Sequence, residues 1–243
     1  MNIRRRADRL ASVAINRGWS WIVRHGRVDA GDALARQFGY FGAGACLFFP
    51  HGTIFGERWI SIGDATMVGP HASLSAGMVP GQKMVTDPVV SIGKRCMIGR
   101  GSHVVGHLSI EIGDDVFTGP YVYITDQNHS YDDPNVPIGR QWPKEAPVRI
   151  GSGSWLGTNV TVLPGAQIGE QVVIAAGSVV LGEIPDRCVI AGAPAQVVRR
   201  YEPGNGWVRP DVAAIGGDGS DLEGSRVVAE EVIADVTAVA PAI

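Results

Sequence analysis

Cysteine is almost missing from this 243-residue chain: Cys46, Cys96 and Cys188 are the whole set, and no two have CxxC spacing. That speaks against a disulfide framework and fits reduced thiols packed as small apolar groups in a cytoplasmic protein. Long hydrophobic runs are missing too. No stretch approaches the roughly 20 apolar residues of a membrane span, and the apolar part of the opening MNIRRRADRLASVAINRG is broken by Ser12, Asn16 and Arg17, so no secretory signal is read there. Basic charge is not in excess: the formal net charge is −3, which argues against a dedicated nucleic-acid binder.

Glycine is what the chain has in plenty, 33 residues with a further 15 prolines. Together they stay below the share that marks low-complexity disorder, and there is no collagen period. With 45% hydrophobic and 19% charged residues the chain can bury a core, so the glycines read as many tight turns and favour an all-β chain or a repeat solenoid. Charge is uneven along it. Residues 1–30 carry seven arginines against Asp8 and Asp29, whereas 203–243 carry seven acids against Arg209 and Arg226.

Residues 5–24, with Leu10, Val13, Ala14, Trp21 and Ile22 at three- and four-residue spacing, predict one or two short amphipathic helices. These either pack on the main domain, the preferred expectation, or contact a membrane surface. Residues 39–50, aromatic and glycine-rich, suit a strand or turn leading into the core.

From Ile62 the pattern becomes regular. Aliphatic residues recur every six positions at Ile62, Val68, Leu74; Ile92, Ile98, Val104; Ile112, Ile124; and Ile150, Leu156, Val162, Ile168, Ile174, Val180, with Thr118 the one exception among fifteen sites. Nine of these are followed directly by glycine. A six-residue period suits neither helix nor hairpin sheet; it suits three short strands per 18-residue coil of a parallel β-solenoid. The aliphatics point inward, and residues four further on (Thr66, Ala72, Cys96, Ser102, Val116 and their equivalents) are small or β-branched, as a narrow core requires. The glycine after each aliphatic is expected to supply the corner.

A loop at 77–88 interrupts the repeat, the step from Ile92 to Ile112 is 20 residues, and the step from Ile112 to Ile150 is 38. The last carries an excursion over 129–149, of the kind that in a compact repeat is usually functional. After Pro185 the repeat stops, and AGAPAQVVRR (191–200) reads as a closing strand or helix. The expected organisation is a lead-in over 1–50, a repeat domain over 51–200, and an acidic, partly flexible tail over 201–243 with one helix-like run near 227–239.

The segments IEIGDDVFTGPYVYITDQNHSY (110–131), APVRIGSGSWLGTNVTVLPGAQIG (146–169), VVIAAGSVVLGEIPD (172–186) and AGAPAQVVRR (191–200) resemble the hexapeptide-repeat acyltransferases, specifically the galactoside and maltose acetyltransferase type and the bacterial polysaccharide O-acetyltransferases. The resemblance covers roughly 62–200. It implies a left-handed parallel β-helix, a homotrimer with active sites between neighbouring subunits, and an acyl-CoA, usually acetyl-CoA, as co-substrate with a carbohydrate acceptor and no metal.

The resemblance places the catalytic base on His129, 17 residues after Ile112. A neutral imidazole can take the proton of a sugar hydroxyl as it attacks the thioester. On the CoA side it points to Trp155, Gly157, Thr158, Ala176 and Arg199. Where many relatives have Thr-Lys this chain has Leu181-Gly182, so Arg199 or Arg200 has more of the phosphate to meet. Where the galactoside type keeps an Asn and an Asp, Gly99 and His107 stand here, so the acceptor-side candidates become His103, His107, Asp126 and Asn128; for the first two histidines an exposed corner position is the equal alternative. Two other readings stay open, a non-catalytic β-helix scaffold and a zinc enzyme of the β-helix carbonic anhydrase kind built on His103, His107 and His129. No cysteine or serine is placed as a nucleophile, so direct attack in a ternary complex is expected.

Overall fold

The computed structural model describes residues 3–79 and 81–210; the run predicted near 227–239 lies outside them. One helix, α1 (Ile3–His25), opens the chain. It has no proline or internal glycine before Gly18, places Arg24 and His25 where the C-terminal dipole favours cations, and ends at Gly26, whose N–H still reaches Ile22 O at 2.7 Å. It does not pack on the main domain as expected. Residues 8–22 are all exposed, among them Leu10, Ile15, Trp19 and Trp21.

The rest is a coil of short parallel strands on three faces. The first face is a 7-stranded sheet starting at Tyr40–Phe41, and the third is a 6-stranded sheet starting at Ile54–Phe55. The second is a 10-stranded sheet whose two ends are antiparallel, with Val28–Asp29 at one and the segment after Cys188–Gly192 at the other. Register is kept from coil to coil: Ile62 pairs with Ile92, Ile112 with both Ile92 and Ile150, and Ile150 with Ile168. All fifteen periodic sites are buried, and so are the small residues four positions on. The first coil begins at Tyr40, one turn ahead of the regular repeat, and 191–200 resolves as strand: Ala195–Glu202 pairs back on Cys188–Gly192, and Gly206–Val208 adds a last strand.

The buried small hydroxyls at the inward positions, Thr66, Ser102, Ser154 and Ser178, are satisfied by the next coil. Thr66 Oγ1 donates to Gly93 O at 2.6 Å and accepts the Cys96 N–H at 3.0 Å. Ser102 Oγ accepts from Val122 N, and Ser154 Oγ from Val172 N, both at 3.1 Å. A core this narrow therefore tolerates hydroxyls because the backbone above supplies their partners.

The glycine after the aliphatic has a different role from the one expected. The left-handed corner falls two residues later, at Ala65, His71, Arg95, Asp115, Tyr121, Asn159 and Gln171, with φ from 54° to 60°. The glycine itself lies where coils touch: a Cβ on Gly63 would sit 2.5 Å from the backbone of Gly93, and one on Gly99 2.1 Å from Gly119 O. Close approach between coils, not turn conformation, requires glycine there.

The edge between the third and first faces holds the irregular segments. Residues 77–89 link Ser73–Ala76 to Val90–Ile92, 107–109 link His103–Gly106 to Ile110–Ile112, and 126–147 link Tyr123–Thr125 to Val148–Ile150. The three lie one above another.

Candidate functional site

The long excursion leaves the body as an antiparallel pair, Gln127–Asn128 against Lys144–Glu145. Asp126 anchors its base. Its carboxylate is fully buried and accepts the backbone N–H groups of His107 (2.8 and 3.0 Å), Leu108 (2.8 Å) and Ser109 (2.7 Å). Burial raises its pKa above the ordinary carboxylate value, against the pull of those three donors toward the anion. Asp126 thus serves as a clamp between adjacent links of the edge and has no surface to offer an acceptor, contrary to expectation.

His107 is buried as well, neither an exposed corner side chain nor an open acceptor contact. Its Nδ1 bonds the Glu145 carboxylate, its Nε2 lies 2.9 Å from Gln82 Nε2, and its ring centroid is 5.9 Å from that of Trp142. One imidazole thereby joins all three links of the edge. Glu145, Gln82 and Trp142 were not singled out from sequence, since they sit in aperiodic loops where no pattern marks them. Both ring nitrogens of His107 are engaged, so it is not placed as a zinc ligand beside His103 and His129. Among the described residues no three His, Cys, Asp or Glu side chains come together in a metal-binding group.

His129 follows the hairpin strand directly. It is exposed and makes no side-chain hydrogen bond among the described residues. Asn128 is exposed opposite Lys144, and His103 is exposed on the third face, in register with Ser73 and Tyr123.

The CoA-side candidates gather elsewhere. Trp155 pairs with Val173, Val173 with Val189, and Val189 with Arg199, so Trp155 and Arg199 lie on one outward file of the second face, roughly 14 Å apart at ~4.8 Å per strand. At the adjoining corner a Cβ on Gly157 would meet Ala176 N at 2.6 Å, and Gly177 N donates to Thr158 O at 2.8 Å, which stacks Gly157, Thr158 and Ala176. That corner joins the second and third faces; His129 rises from the edge between the third and first. One chain therefore does not bring the two sets together. A depression of about 530 Å³ along the first face, lined by Arg149, Gln167, Glu170 and Glu183 among others, includes none of these residues.

The three-faced coil with glycine contacts between turns defines a left-handed parallel β-helix. Two repeat models match it, that of the bacterial transferase hexapeptide (six repeats) over residues 147–182 and that of the hexapeptide repeat of succinyl-transferase over 89–125. The chain carries hexapeptide repeats over both of these stretches.

It is 36% identical over 145 residues to the probable acetyltransferase Rv3034c of Mycobacterium tuberculosis, covering 60% of this chain and 43% of that one. It is 42% identical over 106 residues to the putative lipopolysaccharide biosynthesis O-acetyl transferase WbbJ of Escherichia coli (41% and 54% covered). To the galactoside O-acetyltransferase of E. coli it is 32% identical over 132 residues (49% and 62% covered). The matched stretch thus spans between 43% and 62% of these relatives. Among solved structures, AntD, an N-acyltransferase from Bacillus cereus in complex with dTDP and 3-hydroxybutyryl-CoA, superposes with a TM-score of 0.57 at 17% identity, covering 84% of this chain and 100% of that one. It shares the fold.

Proposed function

We propose that this chain is an acyl-CoA-dependent O-acyltransferase, with acetyl-CoA as donor and a carbohydrate hydroxyl as acceptor. What carries the reading is His129: an exposed imidazole with both nitrogens open, presented by a hairpin that Asp126 and Glu145 fix to the body, in a chain whose relatives are named as acetyltransferases.

In this mechanism His129 accepts the hydroxyl proton as the sugar oxygen attacks the thioester carbonyl. A C–O bond forms, backbone N–H groups steady the tetrahedral oxyanion, the C–S bond breaks, and the CoA thiolate leaves and regains a proton from the imidazolium. The file from Trp155 to Arg199 has the extended shape a pantetheine arm needs, Gly157 and Ala176 allow close approach, and Arg199 meets a phosphate. Since these residues and His129 lie at different edges of one prism, the complete site takes both from neighbouring copies in a homotrimer. Phe117 and Trp155 on the second face, Tyr123 on the third and Tyr121 at the corner between them, all exposed, give such an interface apolar area. Asn128 and His103 remain on the acceptor side.

The test is a transfer assay with a panel of acyl-CoAs and sugar acceptors read by mass spectrometry, with light scattering on the same sample. Acyl transfer to a sugar by a trimer is expected. Absence of both CoA binding and transfer overturns the enzymatic reading, and a 25.7 kDa monomer overturns the shared site.

A further inference from the structure

The helix α1 exposes a face that no other element among the described residues covers. At 100° per residue, Leu10, Ala14, Gly18, Trp21 and Ile22 fall on one side with Ile15 and Arg17 at its two margins, while Arg9, Asn16, Ser20 and Arg24 fall on the other, with Val13 the one apolar side chain among them. Leu10 is 67% exposed and Trp21 57% exposed. Such apolar side chains along about three turns of one helix are normally buried by something. The helix is also strongly cationic, with six arginines against the single acid Asp8 between residues 3 and 25. At the same time no helix among the described residues is long and apolar enough to cross a membrane.

We infer that α1 is a docking helix for an anionic lipid surface, lying in the plane of the interface. Two independent features converge on that partner. A helix of high amphipathicity and low overall hydrophobicity, with tryptophan on or beside the apolar face and arginine opposite, gains from lying at the headgroup boundary with its apolar side in the acyl layer. The arginines then meet headgroup phosphates and the negative surface potential, which attracts each of them. A neutral or cationic protein face would satisfy the apolar side and leave this charge unmatched. Because α1 precedes the coil and contributes nothing to its core, docking would hold the β-helix at the surface without altering it. The inference stands apart from the acyl-transfer reading.

The test is co-flotation of the full chain with phosphatidylcholine vesicles, with and without roughly one-third phosphatidylglycerol. The chain is expected to float with the anionic vesicles, not with the neutral ones, and less as salt rises. The triple substitution Arg9→Gln, Arg17→Gln, Arg24→Gln keeps good helix formers and is expected to lower vesicle partition on the order of 10²-fold. Trp21→Glu with Ile22→Glu is expected to abolish it, and both variants should keep the melting temperature of the β-helix. Failure of the unaltered chain to float, or equal flotation with neutral vesicles, overturns the inference. If the chain does not float and the Trp21→Glu, Ile22→Glu variant changes its oligomeric size, the face belongs to a second copy of the chain and the lipid assignment falls.

Discussion

His107 and Glu145 are 38 residues apart in sequence and meet at hydrogen-bonding distance, so the far strand of the excursion is held by a residue one coil earlier. Glu145→Ala leaves the buried imidazole without its carboxylate and is expected to cost about 2 kcal/mol. Tryptic cleavage after Arg140 and Lys144 should accelerate relative to the rest of the chain. Unchanged cleavage at those two bonds would show that the pair does not hold the loop.

Asp126 satisfies three backbone donors at once. Asp126→Ala strands them in a buried place and is expected to destabilise by about 3–5 kcal/mol in denaturant unfolding. Asp126→Asn keeps one acceptor oxygen and should cost less. Equal losses in the two variants would mean that one remaining acceptor oxygen contributes nothing and that the full carboxylate is what the site requires.

Gly93 and Gly177 separate close approach from turn conformation. A Cβ on Gly93 would lie 2.5 Å from Gly113 backbone, whereas one on Gly177 meets nothing within 4 Å, at φ 73°. Gly93→Ala is expected to cost about 3 kcal/mol or prevent folding, and Gly177→Ala about 1 kcal/mol. Thermal melts decide the order.

Burial pushes the Cys188 thiol from 9.0 to about 11, and its Sγ donates to Pro185 O at 3.1 Å. Between those values the unfolded thiol has lost its proton and the folded one has kept it, so stability is full below pH 9 and falls as pH rises toward 11. Cys188→Ala should remove about 2 kcal/mol of that decline, measured as the difference between the two proteins' stability–pH curves. A parallel pair of curves would refute the assignment.

His129→Ala is expected to lower turnover by a factor on the order of 10² to 10⁴ with CoA binding intact, as for loss of a base that acts in the transition state. Double-reciprocal plots of the unaltered enzyme should intersect, since Cys46, Cys96 and Cys188 are all buried and none is available as an acyl carrier. Full activity in the variant, or an acyl group retained on the protein, would remove this mechanism.

The sequence made the coil legible because each inward site from Ile62 to Val180 meets its own equivalent above and below, so one residue type is selected again and again. The first turn was not legible: Phe41, Leu47 and Ile54 are spaced six and then seven apart, which breaks the period while the pairing with Ile62, Val68 and Leu74 holds. The role of glycine was misplaced because period shows where a residue recurs and not what its missing Cβ makes room for. At the site, the exposure of His129 follows from its place where the repeat gives way to the excursion. The burial of Asp126 and His107 was not legible in that way, since it depends on Gln82, Trp142 and Glu145 folding over them from segments that share no period.

From Ile62 onward, the steps between the first and second faces and between the second and third are always six residues, while those from the third face back to the first are 18, 8, 26, 6 and 4. All change in length is thus confined to one edge, and two edges are fixed by contact between coils. A segment at the variable edge can be exchanged for one of different length without shifting any inward residue. If the proposed function holds, recognition through the excursions is therefore separable from what keeps the chain folded, and replacing 130–143 with a relative's loop should transfer acceptor preference onto an unchanged core.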